Sequence, residues 1–262
     1  VTYGPLLLGK SIFIFDGALN WPNASRFYQL IDKYAISVLY TAPTAIRMFM
    51  RAGEEFDHDL SSLRLLGSVG EPINPEAWLW YRRVFGASRC EIIDSWWQTE
   101  TGGIMISPLP FVTPTKPTYA TLPLPGIQPV LMDEKRNEIT GNQVDGNLCI
   151  RFPWPGIART IWGDHQRYKE TYFTAFPGKY FTGDGALRDE VGYYRITGRM
   201  DDVIIVSGHN LGTAPIEDSI NLHPAVAESA IVGFPHDIKG NALYGFVILK
   251  ESGEERDKEN LK

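Results

Sequence analysis

The chain has 262 residues, 44% of them apolar and 12% aromatic, enough for one large domain or two smaller ones with buried cores. A net charge of -6 and a pI near 5.4 argue against nucleic acid as the main partner, because phosphate backbones are held by basic faces. Cys90 and Cys149 alone exclude a disulfide framework or a cysteine-rich zinc site. With no membrane-length apolar run and no signal peptide, the expected compartment is the cytoplasm.

Ser11–Phe15 reads as a buried strand closed by the turn pair Asp16-Gly17. Ala24 to Ala35 has helical spacing, with Phe27, Leu30, Ile31 and Tyr34 along one face. Ile36–Tyr40 is a strand, and Pro43 suits the first turn of a helix ending near Ala52. Leu63–Leu66 is a strand; Asn74 can cap a helix that has Pro75 at its first position and runs to Phe85. Glu91–Ile93 is the next strand. This alternation predicts a mostly parallel sheet. Pro108 to Pro129 reads as extended loop, and Ile127 to Tyr194 as short strands and turns. The strands there are Gln128–Met132, Asn147–Phe152, Lys179–Thr182 and Gly192–Ile196, a pattern of antiparallel β structure. Beyond Asp201 come strand Val203–Val206, helix Ala214–Leu222, and strands Ala227–Phe234 and Ala242–Leu249. The predicted class is therefore α/β, with residues 1–107 a parallel-sheet subdomain, 108–200 a β-rich subdomain, and 201–262 a hinge and part of a smaller α/β domain. Glu251 to Lys258 reads as a charged connector.

Chemistry-bearing residues gather in several places. Gly67-Ser68-Val69-Gly70-Glu71-Pro72 follows a strand; its glycines would let backbone approach a planar ligand, or it is an ordinary strand-to-helix turn. Asp94-Ser95-Trp96-Trp97-Gln98-Thr99-Glu100-Thr101 offers aromatic faces, hydroxyls and carboxylates at a strand's carboxyl end, where α/β sheets bind ligands. The same run is compatible with two core tryptophans ahead of a helix cap. Asp184, between Gly183 and Gly185, could hold ribose hydroxyls, or Asp-Gly could be a hairpin turn. Arg199 could bind ribose or phosphate through its planar fork of donors, or belong to a solvated hinge.

Taken in order, these stretches resemble the AMP-forming acetyl-CoA synthetases of the adenylate-forming acyl-CoA synthetase and luciferase superfamily. Tyr40–Arg47, Gly67–Trp78, Trp96–Gly103, Tyr180–Gly185 and Ile196–His209 carry the match along essentially the whole chain. The resemblance implies that acetate attacks the α-phosphate of ATP to give acetyl-AMP and pyrophosphate, after which coenzyme A displaces AMP. ATP, coenzyme A and Mg²⁺ are the implied cofactors, and acetate, ATP and coenzyme A the small-molecule partners. Carried over by position, Gly70, Glu71 and Pro72 line the adenine, and Asp94, Ser95, Trp96, Trp97, Gln98 and Thr99 close around base and phosphate. Thr99 contacts the α-phosphate, Glu100 helps hold Mg²⁺, and Asp184 takes the ribose with Arg199 beside it. Trp97 and Val69 wall the acyl pocket; Asn20, Ala42, Ser207 and Gly208 lie near coenzyme A. Asp201 is the hinge. Asn221, His223 and Val226 match a peripheral metal position.

The chain departs from that pattern at Asn210, where most relatives carry an arginine that reaches the nucleotide phosphate. The superfamily's Ser/Thr/Gly-rich phosphate loop falls before the position of Val1 and its catalytic lysine beyond that of Lys262, so these residues alone are expected to be inactive in adenylation. A non-catalytic nucleotide-binding fragment and a propionate-using sister enzyme are the alternatives.

Overall fold

The structure, a computed structural model, describes residues 3–53, 57–200, 204–206, 209–223, 225–236 and 240–249. A short helix α1 (Tyr3–Leu7) is followed by α2 (Ser25–Tyr34), β1 (Val38–Thr41), α3 (Pro43–Ala52), β2 (Leu65–Ser68), α4 (Pro75–Val84) and β3 (Glu91–Asp94). The strands form a parallel sheet in the order β1-β2-β3, with Leu39 opposite Leu66 and Leu66 opposite Ile92.

Local chemistry explains the helices between them. Pro43 and Pro75 occupy first-turn positions, where a missing N–H costs nothing. The Asn74 side chain accepts from the Ala77 amide at 3.3 Å, and Arg82 and Arg83 lie in the last turn of α4, where carbonyl dipoles favour cations. The helices bury Tyr28, Ile31, Ile46, Phe49, Tyr81 and Phe85 against Leu66 and Ile92. Tyr28 stacks on Phe85 with ring centres 4.7 Å apart. This packing holds the carboxyl ends of β2 and β3 side by side: the Ser95 amide donates to the Ser68 carbonyl at 3.0 Å.

The second body is an antiparallel sheet. Its strands are β4 (Pro129–Met132), β5 (Glu138–Ile139), β6 (Val144–Ile150), β7 (Tyr180–Arg188) and β8 (Tyr194–Arg199), with helix α5 (His165–Phe173) between β6 and β7. The order is β5-β4-β6-β7-β8. Its core joins Leu131, Leu148, Tyr180 and Tyr194 to Trp96, Met105, Ile106 and Trp154. Trp96 therefore belongs to this core although it follows a strand of the first sheet. The third group is β9 (Ile204–Val206), β10 (His209–Leu211), α6 (Thr213–Asn221), β11 (Val226–His236) and β12 (Gly240–Leu249), in the order β10-β9-β12-β11. Arg195 of β8 pairs with Asp218 of α6, and Arg51 of α3 with Glu228 of β11 at 2.8 Å. No helix among the described residues is long and apolar enough to cross a membrane.

The α/β class stands, and several expected elements change. Ser11–Phe15 is not a strand: Phe13 and Ile14 are exposed, and among the described residues no strand pairs with the segment. β6 begins at Val144 and stops at Ile150, because Gly146 and Asn147 are carried within the ladder opposite Ala186 and Gly185. Asp184-Gly185 is not a hairpin turn; β7 continues through it, with Asp184 opposite Arg199. Helix α5 carries little signal in the sequence, since a single residue of it, Tyr168, is buried and its apolar pattern is weak. Asp201, Ser207, Gly208 and the segment from Glu251 to Lys258 lie outside the described residues.

Candidate functional site

Three chain segments meet where the parallel sheet ends. The first is the turn after β2. Gly70 has φ +105°, a conformation that costs a side-chain-bearing residue energy, and it brings the backbone to Glu71 and Pro72. Glu71 is anchored to α3: its Oε1 accepts from the Thr44 amide at 2.7 Å, the Thr44 hydroxyl at 2.5 Å and the Arg47 guanidinium at 3.1 Å. One carboxylate thus caps the start of α3 and fixes the turn at the same time.

The second segment follows β3. Trp96 pairs with Ile106 through backbone bonds, and Gln98 opens a single 3₁₀ turn, Thr99–Thr101, in a capping box with Thr101. Gly102 closes it at φ +70°. The Trp154 indole donates to the Thr101 carbonyl at 2.7 Å, and the Ala158 amide to the Glu100 carbonyl at 2.8 Å.

The third segment is β7 with its partner β8. The Thr182 hydroxyl donates to the Leu148 carbonyl and accepts from the Asp184 amide, which turns Asp184 toward the second segment. Oδ2 of Asp184 accepts from the Trp96 indole and the Gln98 amide, each at 3.0 Å, while Arg199 sits 3.4 Å from Oδ1. Gln98 also donates to the Thr182 carbonyl at 2.6 Å and accepts from the Tyr180 hydroxyl at 3.1 Å. Asp184 is buried and Arg199 is half exposed.

These segments enclose a cleft of about 420 Å³. It brings together Gly70, Glu71, Pro72, Asp94, Ser95, Trp96, Trp97, Gln98, Asp184 and Arg199, ten of the residues selected in the sequence. Trp96 is an internal hydrogen-bond donor, whereas Trp97 is exposed at 36% and lines the cleft. Thr99 and Glu100 lie on the adjoining turn, and Val69 is half-buried just before Gly70. Asn20 is exposed in the turn before α2, and Ala42 is the N-cap of α3; neither lines the cleft. Asn210 lies in β10 opposite Ile205. Asn221 ends α6, with its Oδ1 accepting from Ser229, and His223 Nδ1 accepts from the amide of Ala225, next to Val226 at the start of β11.

Other lining residues carried no signal of their own. Thr118 and Ala120 come from the proline-rich loop, Ile196 from β8, and Thr213, Ala214 and Glu217 from α6, which closes one side. Thr118 is buried at φ +73°, a costly conformation for a β-branched residue. The Lys116 ammonium, 2.6 Å from Asp189, ties down the loop that carries it.

Asp94 is the electrostatic extreme of the site. Burial pushes its carboxyl up to about 7 from an ordinary 3.8, opposed by the positive Arg195. A folded state that holds this proton more tightly than the unfolded chain is favoured at low pH. Its contribution is lost as pH rises from about 4 to about 7. Asp94→Asn cannot titrate, so its unliganded stability is expected to be flatter across that window and higher above it, by up to about 4 kcal/mol. Urea denaturation of both proteins at low and high pH measures this.

The arrangement offers a flat indole face, a glycine turn, a deep carboxyl, and a carboxylate paired with a half-exposed guanidinium. Those groups suit a ligand with a planar ring, adjacent hydroxyls and a negative charge.

Known proteins resemble the chain over nearly its whole length. Residues 1–162 match the family described as AMP-binding enzyme, and residues 215–262 match AMP-binding enzyme C-terminal domain. The acetyl-coenzyme A synthetase of Parvibaculum lavamentivorans is 59% identical over 251 residues, covering 95% of this chain and 39% of the relative. That of Caulobacter vibrioides is 58% identical over 259 residues, covering 98% of this chain and 40% of the relative. The chain thus spans about 40% of the length of these curated relatives. Among solved structures, the anthranilate CoA ligase AuaEII in complex with anthranoyl-AMP superposes with a TM-score of 0.82 at 28% identity, over 97% of this chain and 47% of the ligase.

Proposed function

Since the chain belongs to the AMP-binding enzyme family, we propose that it carries the adenylate site of an AMP-forming acetate–CoA ligase. In the first half-reaction an acetate oxygen forms a bond to the α-phosphorus of ATP and pyrophosphate leaves. In the second, the coenzyme A thiol attacks the acyl carbonyl and AMP leaves. The division of labour follows the family reading. Gly70 to Pro72 and Asp94 to Gln98 enclose the base, and Asp184 with Arg199 takes the ribose hydroxyls. Thr99 meets the α-phosphate, and Trp97 with Val69 bounds the acetyl group. Coenzyme A would enter past Asn20, Ala42, Ser207 and Gly208, with residues 1–200 and the unit beginning at Asp201 turning relative to each other between the two steps. Asn210, where most relatives carry an arginine, adds no positive charge for the phosphates.

The single observation that carries this reading is the convergence of Trp96, Gln98 and Arg199 on the Asp184 carboxylate at the wall of one cleft. It joins residues from separate sequence stretches at one carboxylate–guanidinium pair, and relatives of 58–59% identity are named acetyl-coenzyme A synthetase.

A divalent cation fits in one way. Among the described residues no group of three His, Cys, Asp or Glu side chains could hold a metal. Glu100 offers one carboxylate oxygen without a protein partner among the described residues, and Thr99 a hydroxyl on the same turn. Such a sparse hard-oxygen set suits Mg²⁺, which keeps substrate phosphates and water as its other ligands. When bound, the cation would offset phosphate charge; Glu100 would help hold it. At the peripheral position Asn221 and Val226 would offer backbone oxygens and His223 a ring nitrogen, its Nδ1 already accepting from the Ala225 amide.

Calorimetry with a non-hydrolysable acetyl-AMP analogue tests the reading: saturable binding is expected, and no binding overturns it. The 262 residues expressed alone are expected to release no acetate-dependent pyrophosphate, because they span about 40% of the relatives' length. Acid selectivity tests the acyl wall. In the natural full-length protein, Trp97→Gly is expected to raise kcat/KM for propionate and longer acids by about 10- to 100-fold relative to acetate, since each methylene admitted is worth ~1–3 kcal/mol. An unchanged preference would remove Trp97 from that role and admit the propionate-using alternative.

A further inference from the structure

Glu100 is held by a residue that no motif in the chain announces. Tyr172, on α5, donates its hydroxyl to Glu100 Oε1 at 2.5 Å. Glu100 Oε2 has no partner among the described residues. The Glu100 main chain is fixed independently, by the Ala158 amide on its carbonyl.

The donor itself is held in place. The Tyr172 ring stacks on Tyr180 with centres 5.1 Å apart and planes 10° off parallel, and Tyr168 packs at 5.4 Å. Tyr180 in turn donates to Gln98 Oε1, and Gln98 reaches Asp184. Two stacked rings therefore bracket the two polar ends of the site, Glu100 through one hydroxyl and Gln98 and Asp184 through the other.

A phenol is an apt partner for a carboxylate that must receive a cation. A lysine or arginine at the same place would neutralise the charge that attracts the cation. A neutral O–H orients one oxygen and leaves the full negative charge, with the second oxygen turned free.

We infer that Tyr172 is a positioning residue for divalent-cation binding: it fixes the Glu100 carboxylate so that its free oxygen meets the cation accompanying the nucleotide phosphates. This rests on the proposed assignment of Glu100. Groups that orient a metal ligand without touching the metal typically change its affinity by about 10- to 100-fold when removed. Tyr172→Phe keeps the stacked ring and removes only the hydroxyl.

The test uses the natural full-length protein with Mn²⁺ as the probe, titrated by electron paramagnetic resonance in the presence of a non-hydrolysable ATP analogue. AMP affinity without cation is measured alongside by calorimetry. Tyr172→Phe is expected to weaken Mn²⁺ binding about 10-fold, leave AMP affinity within about 2-fold, and, combined with Glu100→Gln, add little to the loss from Glu100→Gln alone. Equal losses of Mn²⁺ and AMP affinity would overturn the inference, because they mark a general packing role. So would unchanged Mn²⁺ affinity in Tyr172→Phe when Glu100→Gln weakens it. If Glu100→Gln has no effect on Mn²⁺, the assignment of Glu100 falls, and the inference falls with it.

Discussion

Asp184→Asn is expected to lower affinity for an acetyl-AMP analogue by about 100-fold, the largest loss from any isosteric change in the cleft. In the unaltered site, Asp184 Oδ2 accepts from both the Trp96 indole and the Gln98 amide, and Oδ1 faces Arg199. An asparagine supplies one carbonyl oxygen and one NH₂. If the oxygen stays toward Trp96 and Gln98, the NH₂ confronts the guanidinium and can accept nothing from it. If the amide flips, three donors point at one another beside a buried indole. Either way the locus loses its charge, and hydrogen bonds to charged groups are worth about 1.5–3 kcal/mol each. A loss of two such contacts to the ligand's hydroxyls exceeds a factor of about 100, less what water recovers. Titration calorimetry reads the affinity. A melting curve reads the part of the cost borne by the unliganded fold, which comes mainly from an unpaired Trp96 N–H. Binding within a few-fold of the unaltered protein would mean that the ligand does not contact Asp184.

The parallel sheet was legible because its signals are local. β-branched and leucine-rich runs alternate with helices whose starts are marked by Pro43 and Asn74-Pro75, and the structure starts those helices at the same residues. The residues around the cleft were also visible as candidates, because carboxylates, tryptophans and glycines at strand ends stand out against an apolar background. Their connections were not visible. Trp96 and Asp184 are separated by 88 residues, and nothing in either stretch indicates that an indole of one donates to a carboxylate of the other. The Asp184-Gly185 pair satisfies the rule for a hairpin turn, yet β7 carries on because β6 and β8 flank it and supply partners on both sides. Tertiary pairing overrides turn propensity there. Ser11–Phe15 is the reverse case, where a strong strand pattern lacks a partner among the described residues. Helix α5 is hidden in the sequence for a related reason. Its Tyr172 and Phe173 face an aromatic cluster with Tyr180 rather than a broad apolar stripe, so its sequence lacks the expected periodicity.

Gly102→Ala is expected to destabilise the protein by about 2–4 kcal/mol and to reduce nucleotide binding with it. Gly102 closes the 3₁₀ turn at φ +70°, a left-handed conformation in which alanine carries a steric penalty of about 1 kcal/mol. Lack of room costs more than the backbone conformation does. A Cβ built at Gly102 would lie 2.1 Å from the Gly156 carbonyl oxygen and 2.9 Å from its carbon, and both are backbone atoms that no rotamer change can remove. Relief therefore requires the 154–158 loop to move away from the turn. That loop supplies the Trp154 indole to the Thr101 carbonyl and the Ala158 amide to the Glu100 carbonyl, so both contacts loosen together. Thr99 and Glu100 then lose their fixed main chain, and the side chains proposed to meet phosphate and cation lose their aim. Gly103, one residue on, is the internal control: no atom lies within 4 Å of a Cβ built there, so Gly103→Ala is expected to cost under about 1 kcal/mol. Denaturant midpoints of the two variants separate the explanations. Two small and equal losses would show that the loop yields freely, whereas a large loss at Gly102 alone shows that the Thr99–Thr101 turn is held by close contact between two backbones.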